Sequence, residues 1–426
     1  MTGNDSFTPV PAESARRRLV LAALAAVAVV AVVAGAVVGA GHDGGDQSAS
    51  GVPSPGRGAP QEHISFLAKI VPPAAGSGRS SGPAVPKSVA DLARRLPLQR
   101  KVAQLFVVGF NGKDTSAGVF GRLARVDLGG IALGAGNYVE AGQLGALANQ
   151  AATVARRHRH VPPWVFASQE GGALNSFPDL PPTSAPADLR SAKEAAAQTR
   201  ASAKNLRALG VNAVLGPVID VASSETGSAL GARVYSDDPA EVSTYADAVV
   251  RAYRAEHVFS AAAHFPGLGA TDQSTEDGPA TVGLGLEELR QRDLIPFHSA
   301  IDAGVPGITV ASALYPFSDF TVPASLSGSV DTALLRHDMK FKGVAMTDDL
   351  ADPAITTLHT VPDAAVLALR AGVDLIYISG TPGDQQAAYV AVLHAVQRGR
   401  IPRRRLDEAV GRVLLAKQDY GLIRKP

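Results

Sequence analysis

Eight short apolar runs, separated by longer segments of helical period, dominate the chain from Ser88 onward. Near-continuous apolar strands indicate burial on both faces of a sheet, and segments such as 188–209 and 239–256 are typical of helical crossovers. Strand and helix alternating about eight times predicts a closed parallel (β/α)8 barrel of the TIM type. The predicted strands lie at 105–110, 130–134, 164–168, 211–218, 259–264, 307–314, 343–347 and 374–379.

An open doubly wound sheet is the alternative fold for the same alternation. Gly267, Leu268 and Gly269 follow a predicted strand, but no third glycine completes the spacing of a dinucleotide-binding fingerprint. The barrel is therefore favoured, and no cofactor is expected.

The N-terminal part of the chain carries a membrane signal. Residues 19–41 form an uninterrupted run of apolar and small residues, longer than the roughly 20 residues that cross a bilayer as a helix. Three consecutive arginines end at Arg18 and the next cation is Arg57, so the positive-inside rule keeps residues 1–18 cytoplasmic. We expect a single-pass anchor in the cell membrane, with the rest of the chain extracytoplasmic. A cleaved signal peptide is the alternative, since small residues near Gly39 could support cleavage.

Gly, Ser, Pro and Ala dominate residues 42–87, which link the apolar run to the predicted strands. A segment of this composition buries too little apolar surface to offset the entropy of ordering, so we expect a flexible tether. Residues 88–426 are then one barrel domain.

The charge balance and the lack of cysteine exclude several kinds of partner. A formal net charge of +1 gives no field that would gather nucleic acid. Without cysteine there is no disulfide, thiolate metal site or cysteine nucleophile. No other metal-ligand spacing is present, and His158 and His160 lie at a cationic helix end typical of a solvated surface. Neither a nucleic-acid nor a metal partner is expected.

Polar residues follow several of the predicted strands directly. Ser168 and Glu170 come after the third strand, His264 ends the fifth, and Asp348 and Asp349 follow the seventh. Because a barrel carries its chemistry in the loops at the C-terminal ends of its strands, these side chains are candidates for one shared site.

Nine stretches, in order over residues 98–422, carry a family resemblance. They are KVAQLFVVGF, GGIALG, SQEGG, GVNAVLGPVIDV, GARVYSDDP, HFPGLG, DLIPFHSAIDAGVP, LLRHDMKFKGVAMTDDL and ALRAGVDLIYIS. The sequence resembles family 3 glycoside hydrolases, in the branch of the β-N-acetylglucosaminidases. The resemblance implies a carbohydrate substrate and a retaining mechanism, in which one carboxylate attacks the anomeric carbon and a second group acts as acid and base.

Asp348 matches the nucleophile of the family motif. A carboxylate at the end of a barrel strand is also suited to face the positive charge of an oxocarbenium-like transition state. The alternative is that Asp348 caps the following helix, a part that Asp349 could equally take.

Three further residues are expected to bind substrate. Arg233 and His264 match family positions that hydrogen-bond sugar hydroxyls, and Glu170 lies in the glycine-rich turn after the third strand. Each has a structural alternative: His264 as a core histidine bonded to a backbone carbonyl, Arg233 paired with Asp220 or Asp237, and Glu170 in a buried ion pair.

The chain departs from the branch at several positions. Ser168, Ser176 and Ala263 stand where the branch has an Asp, an Arg and a Lys, which removes charge-assisted hydrogen bonds worth about 1.5–3 kcal/mol each. The loop at 271–278 reads TDQSTEDG in place of the segment that carries an Asp and a His acid/base.

The same loop offers carboxyl groups instead of the missing histidine. Glu276 takes the position of the histidine when counted without gaps, and Asp277 is the second candidate. A carboxylic acid can protonate a leaving group if burial or a neighbouring charge raises its pKa.

Two functions remain open from the sequence. The first is a β-N-acetylhexosaminidase-like glycosidase acting on cell-wall or other extracellular glycans, with Asp348 and Glu276 as catalytic groups. The second is a catalytically degraded protein that binds glycans or serves as a scaffold in the cell envelope. A purely structural protein without a sugar site is the least favoured reading.

Overall fold

The computed structural model describes residues 85–223, 229–318 and 322–425. The predicted anchor at 19–41 and the predicted tether up to residue 84 lie outside these ranges. None of the helices within them is long and apolar enough to cross a bilayer.

Eight parallel strands form the centre of the molecule and pair in the order β7-β6-β5-β4-β3-β2-β1-β8. Neighbours along the chain are neighbours in space, and β1 pairs with β8 through Val107 and Tyr377. One parallel bridge, Met346 to Leu375, joins β7 to β8. The sheet is therefore a nearly closed parallel barrel, as the alternation of runs predicts. The strands are β1 Phe106–Gly109, β2 Gly130–Leu133, β3 Trp164–Ala167, β4 Ala213–Val218, β5 Phe259–Phe265, β6 Gly307–Val310, β7 Val344–Thr347 and β8 Ile376–Ile378.

Each predicted strand overlaps one observed strand; β5 runs one residue beyond the prediction, and the other seven observed strands are shorter than predicted. The largest difference is at 307–314, where β6 ends at Val310 and residues from Ala311 belong to the loop that follows. Ala311, Ala313 and Tyr315 are fully buried without being in the sheet, so an apolar run alone overestimates the strand.

Helices cover the outside of the barrel between the strands. Several begin where a polar side chain accepts a backbone N–H of the first turn: Ser191, Asp238, Thr360 and Thr381 are such N-caps. The helices are α1 Lys87–Arg95, α2 Leu98–Ala103, α3 Gly118–Arg125, α4 Ala141–Arg157, α5 Ala192–Ala208, α6 Pro239–Ala255, α7 Leu286–Gln291, α8 Leu294–Asp302, α9 Ser329–Asp338, α10 Pro353–Thr356, α11 Val361–Ala371, α12 Pro382–Gln397 and α13 Arg403–Asp419.

Large aromatic side chains fill the end of the barrel where the strands begin. Trp164 and Phe259 are the first residues of β3 and β5, and their ring centroids lie 4.8 Å apart. Tyr420 packs on both rings from beyond α13, at 6.2 and 5.8 Å. The barrel is filled by side chains at the N-terminal ends of its strands. Space for a ligand within the barrel therefore remains at the C-terminal ends of the strands.

The seam between β7 and β8 is held by a buried carboxylate. Asp374 accepts hydrogen bonds from Arg336, Arg405 and Arg412 at 2.5, 2.7 and 2.9 Å. It also accepts the backbone N–H of Ala345 on β7 at 3.2 Å. Burial would raise the pKa of Asp374, but the three arginines reverse this, and the net pKa is lowered. The ionised carboxylate therefore ties α9 and α13 to the seam, where strand pairing is sparse.

The first helix sets the expected start of the folded domain, which the sequence puts at residue 88. Val89 of α1 is 1% exposed and Leu96 is 5% exposed, and Ser88 bonds to Gln418 at 3.3 Å. We expect a shortened protein beginning at Val85 to match a longer one beginning at residue 42 in its free energy of unfolding. One beginning at Pro97 should be less stable by about 3 kcal/mol or more, because two buried apolar side chains are lost. Urea titrations of the three proteins measure this, and equal midpoints for all three would refute the boundary.

Candidate active site

All five site residues expected from the sequence line one cavity. This cavity of about 190 Å³ lies at the ends where the strands finish, and its lining includes Glu170, Arg233, His264, Glu276 and Asp348. They come from four different strands, with His264 near the end of β5 and Glu276 in the loop that follows it, so the barrel brings together groups that are far apart in the chain. This convergence agrees with the expectation from the strand ends, while the individual roles remain predictions.

Asp348 follows the last residue of β7 and is half-buried. Its backbone N–H donates to the carbonyl of Val310 on β6 at 3.1 Å, which continues the strand pairing. Among the described residues, its Oδ1 accepts only the N–H of the next residue, Asp349, at 3.0 Å. Asp348 therefore faces the cavity and does not cap a helix.

Asp349 has a structural role, but it is not the helix cap that the sequence suggested for it. Its Oδ1 accepts the backbone N–H groups of Ala351 and Ser379, both at 2.9 Å, and so ties the loop after β7 to the end of β8. Burial raises the pKa of Asp349. Fixing this loop also fixes the position of Asp348.

Arg233 and Glu170 form a bidentate ion pair in the wall of the cavity. Arg233 Nε and Nη2 donate to Glu170 Oε2 and Oε1 at 2.7 and 2.9 Å. Burial would lower the pKa of Arg233, but the carboxylate of Glu170 outweighs it, and the net pKa is raised. The suggested pairing of Arg233 with Asp220 or Asp237 is wrong, because its partner is Glu170. The ion-pair alternative for Glu170 is correct and also sets the planar guanidinium rigidly against the cavity.

His264 is held by a carboxylate that the sequence did not single out as its partner. Its Nδ1 lies 2.8 Å from Oδ2 of Asp220, and its backbone N–H also donates to that carboxylate. Asp220 further accepts the N–H of Leu268 at 2.7 Å. Burial is the largest single influence and lowers the pKa of His264, but the charge and hydrogen bond of Asp220, together with the charge of Asp348, outweigh it, and the net pKa is raised. The alternative role of His264 was a core histidine bonded to a backbone carbonyl. This alternative is wrong for the ring nitrogen Nδ1, whose partner is Asp220.

The loop after β5 brings Glu276 to the rim of the cavity. The carbonyl of Thr275 accepts the backbone N–H of Ala354 at 3.1 Å, which fastens this loop to the start of α10. Glu276 is exposed overall but lines the cavity, whereas Asp277 is exposed and does not line it. The position of Glu276 suits contact with a group that leaves toward solvent.

Asp352 also lines the cavity, although it was not predicted from the sequence. It precedes Pro353 at the start of α10, yet its side chain makes no capping hydrogen bond. Burial, with the negative charges of Asp348, Asp349 and Glu276, raises the pKa of Asp352 to about 9. The only available signal was its spacing four residues beyond Asp348, which is too weak to suggest a carboxyl in the same cavity.

The cavity wall carries much more negative than positive charge. Arg233 is the only lysine or arginine in the described lining, while the carboxyl groups are those of Glu170, Glu276, Asp348, Asp349 and Asp352. Ser168 and Ala263 also line it, so two of the three departures from the family pattern lie in the wall. Within ranges 85–223, 229–318 and 322–425, no group of three or more His, Asp or Glu could hold a metal ion.

Comparison with known proteins places the barrel in a family. Residues 97–416 match the sequence profile described as the glycosyl hydrolase family 3 N terminal domain. The chain belongs to glycosyl hydrolase family 3. The family 3 assignment agrees with the order of the sequence motifs and with the position of the cavity.

Several relatives of this family 3 chain are β-hexosaminidases. Beta-hexosaminidase A of Pseudoalteromonas piscicida is 30% identical over 274 residues, covering 59% of this chain and 46% of that protein. A beta-hexosaminidase of Xanthomonas oryzae pv. oryzae is 29% identical over 318 residues, covering 72% of this chain and 92% of that protein. The solved family 3 beta-N-acetylglucosaminidase of a Paenibacillus species superposes with a TM-score of 0.73 at 32% identity, covering 77% of this chain and 63% of that one.

The chain spans less than two thirds of the Pseudoalteromonas and Paenibacillus proteins but nearly all of the Xanthomonas one. In sequence and fold the chain is similar to these β-N-acetylhexosaminidases.

Proposed function

We propose that this chain hydrolyses β-linked N-acetylhexosaminides of extracellular glycans with retention of configuration. The observation that carries the proposal is the position of Asp348, which directly follows β7 and lines a cavity shared with Arg233, His264 and Glu276. A purely structural barrel has no physical need for a half-buried carboxylate that neither caps a helix nor pairs with a cation.

The proposed reaction has two steps. In the first, the carboxylate of Asp348 attacks the anomeric carbon while the Glu276 carboxyl gives its proton to the departing oxygen, which leaves a covalent glycosyl-enzyme and a free alcohol. In the second, the Glu276 carboxylate takes a proton from water as the water oxygen displaces Asp348. The excess negative charge of the wall stabilises the oxocarbenium-like character of both transition states.

Substrate orientation is assigned to the two rigid pairs in the wall. The Glu170–Arg233 pair presents a guanidinium and a carboxylate at fixed geometry, and the Asp220–His264 pair holds the imidazole ring. Both pairs suit hydrogen bonds to sugar hydroxyls. The ion-pair partner already holds the side chain in place, so binding a sugar costs less conformational entropy. Serine and alanine at 168 and 263 leave fewer charged contacts than the family pattern, so we expect weaker ground-state binding.

We further propose that the barrel works outside the cell membrane. The apolar run at 19–41 and the arginines before it support an anchor with a cytoplasmic N-terminus. The glycans of the cell wall are then the nearest substrates. Protease added to cells stripped of their wall should cleave between the anchor and the barrel, and a barrel protected in such cells would contradict this orientation.

The activity itself is tested with aryl glycosides. We expect 4-nitrophenyl β-N-acetylglucosaminide to be turned over, and proton NMR to show the β-anomer of the free sugar before mutarotation. An initial α-anomer would exclude retention. Absence of turnover together with measurable binding of cell-wall glycans would instead support the non-catalytic glycan-binding protein.

A further inference from the structure

The carboxyl of Asp352 has no assigned role, although it lines the cavity beside the groups of the proposed reaction. Asp352 lies four residues after Asp348 in the sequence. Its side chain accepts no hydrogen bond from any residue in the described ranges. A carboxylate that is half-buried and unpaired is costly, because burial disfavours its charge. Such a group lowers this cost by keeping its proton.

The surroundings of Asp352 favour the neutral form from several sides. Asp348 and Asp349 approach from the loop after β7 and Glu276 approaches from the loop after β5, all with negative charge. Arg233, from the loop after β4, acts in the opposite direction and is the weakest of these influences. Tyr377 on β8 also lines this part of the cavity and adds no positive charge.

The backbone holds Asp352 next to Glu276. Ala354, two residues after Asp352, donates its N–H to the carbonyl of Thr275, one residue before Glu276, at 3.1 Å. Both side chains line the same cavity, and neighbouring carboxyl groups share a proton more readily than they both ionise. Exposed carboxylic acids in water are ionised at pH 7, so an acid at the rim of the cavity needs such a partner to donate a proton there.

We propose that Asp352 and Glu276 form a proton-sharing carboxyl pair, in which Asp352 is a positioning residue that keeps one proton available for Glu276 to deliver to the leaving group. The inference rests on the proposed glycosidase function. In the first step the shared proton goes to the glycosidic oxygen as the bond from that oxygen to the anomeric carbon breaks. In the second, the proton of the attacking water returns to the pair, so the pair carries one proton before and after each turnover.

The pair predicts different pH profiles for its two members. The unmutated protein should lose kcat/KM for an alkyl N-acetylhexosaminide as pH rises through about 9, where the pKa of Asp352 lies, because the proton is then lost. In Asp352→Asn this loss of activity should begin at a pH lower by about two or more units, and activity at acid pH should approach that of the unmutated protein. In Glu276→Gln activity on the alkyl glycoside should be low at every pH. Asp237→Asn, at an exposed carboxylate outside the cavity, is the matched control and should keep the profile of the unmutated protein.

A second readout does not depend on activity. The infrared spectrum of the unmutated protein minus that of Asp352→Asn, both at pH 7.5, should contain the carbonyl band of a protonated carboxyl. Burial also raises the pKa of Asp331, but its band is common to both proteins and cancels in this difference. Thermal unfolding of each variant shows that the fold is retained.

An unchanged alkaline limb in Asp352→Asn, or no carboxyl band in the infrared difference between the two proteins, would overturn the pair. Loss of activity at every pH in a folded Asp352→Asn would also overturn it, since Asp352 would then be the donor itself. Failure of the unmutated protein to cleave any aryl glycoside would sink the proposed function instead, and the infrared comparison would still decide whether the pair exists.

Discussion

Asp348→Asn should reduce the turnover of alkyl and aryl N-acetylhexosaminides alike, by about 10⁴-fold or more, because the first covalent bond of the reaction can no longer form. Asparagine has nearly the same shape and can still accept the N–H of Asp349 through its amide oxygen, so the fold should be retained. The loss should appear in kcat rather than in KM, since Asp348 acts on the reacting carbon.

The neighbouring residue provides the comparison for this substitution. Asp349→Asn weakens the two bonds that tie the loop to Ala351 and Ser379, so it should lower the melting temperature and reduce activity less than Asp348→Asn. If Asp349→Asn proved the more damaging to turnover with the fold intact, the nucleophile would be assigned to the wrong aspartate.

Glu276→Gln should depress cleavage of an alkyl glycoside by about 10²–10⁴-fold, the usual range for general acid–base catalysis. An aryl glycoside with an acidic phenol needs little protonation to depart, so formation of the glycosyl-enzyme from it should change far less. The second step still lacks its base, so the intermediate should accumulate and give a burst of phenol. Added azide needs no base to attack the intermediate and should restore turnover, with a β-glycosyl azide as product.

Equal, small effects of Glu276→Gln on both substrate types would remove Glu276 as the acid and base. Asp277→Asn is then the next variant to measure, because Asp277 is the second candidate from the sequence. Since Asp277 does not line the cavity, its substitution should leave both substrates unaffected.

The barrel could be predicted from the sequence because each strand is a short run buried on both faces. Burial of this kind disfavours polar residues, and in β5, where all seven residues from Phe259 to Phe265 are buried, the polar ones are Ser260 and His264. Where burial continues past the sheet, as after Val310, the sequence offers no signal that the strand has ended. Strand ends therefore depend on hydrogen bonding that composition does not encode.

The site could be predicted residue by residue but not pair by pair. Glu170 and Arg233 are both identifiable from their motifs, yet they are separated by 63 positions in the chain, and their bond depends on the barrel bringing two loops together. The same holds for Asp220 and His264, separated by 44 positions.

The location of Asp352 in the cavity could not be predicted from the sequence. Aspartate before a proline at a helix start is an ordinary surface N-cap. Only the arrangement of three loops shows that its side chain lies among the carboxyl groups of the cavity, where it keeps its proton instead of bonding to the helix.

The most direct test of the retaining mechanism is to trap the glycosyl-enzyme. A fluorinated N-acetylhexosaminide with a good leaving group forms the intermediate but hydrolyses slowly, because the electron-withdrawing fluorine destabilises the transition state of the second step. Peptide mass spectrometry after brief incubation should find one sugar, attached to Asp348, and no such adduct in Asp348→Asn. A sugar attached to a different carboxyl, or turnover of the unmutated protein with no adduct on any residue, would contradict the assignment of Asp348 as the nucleophile.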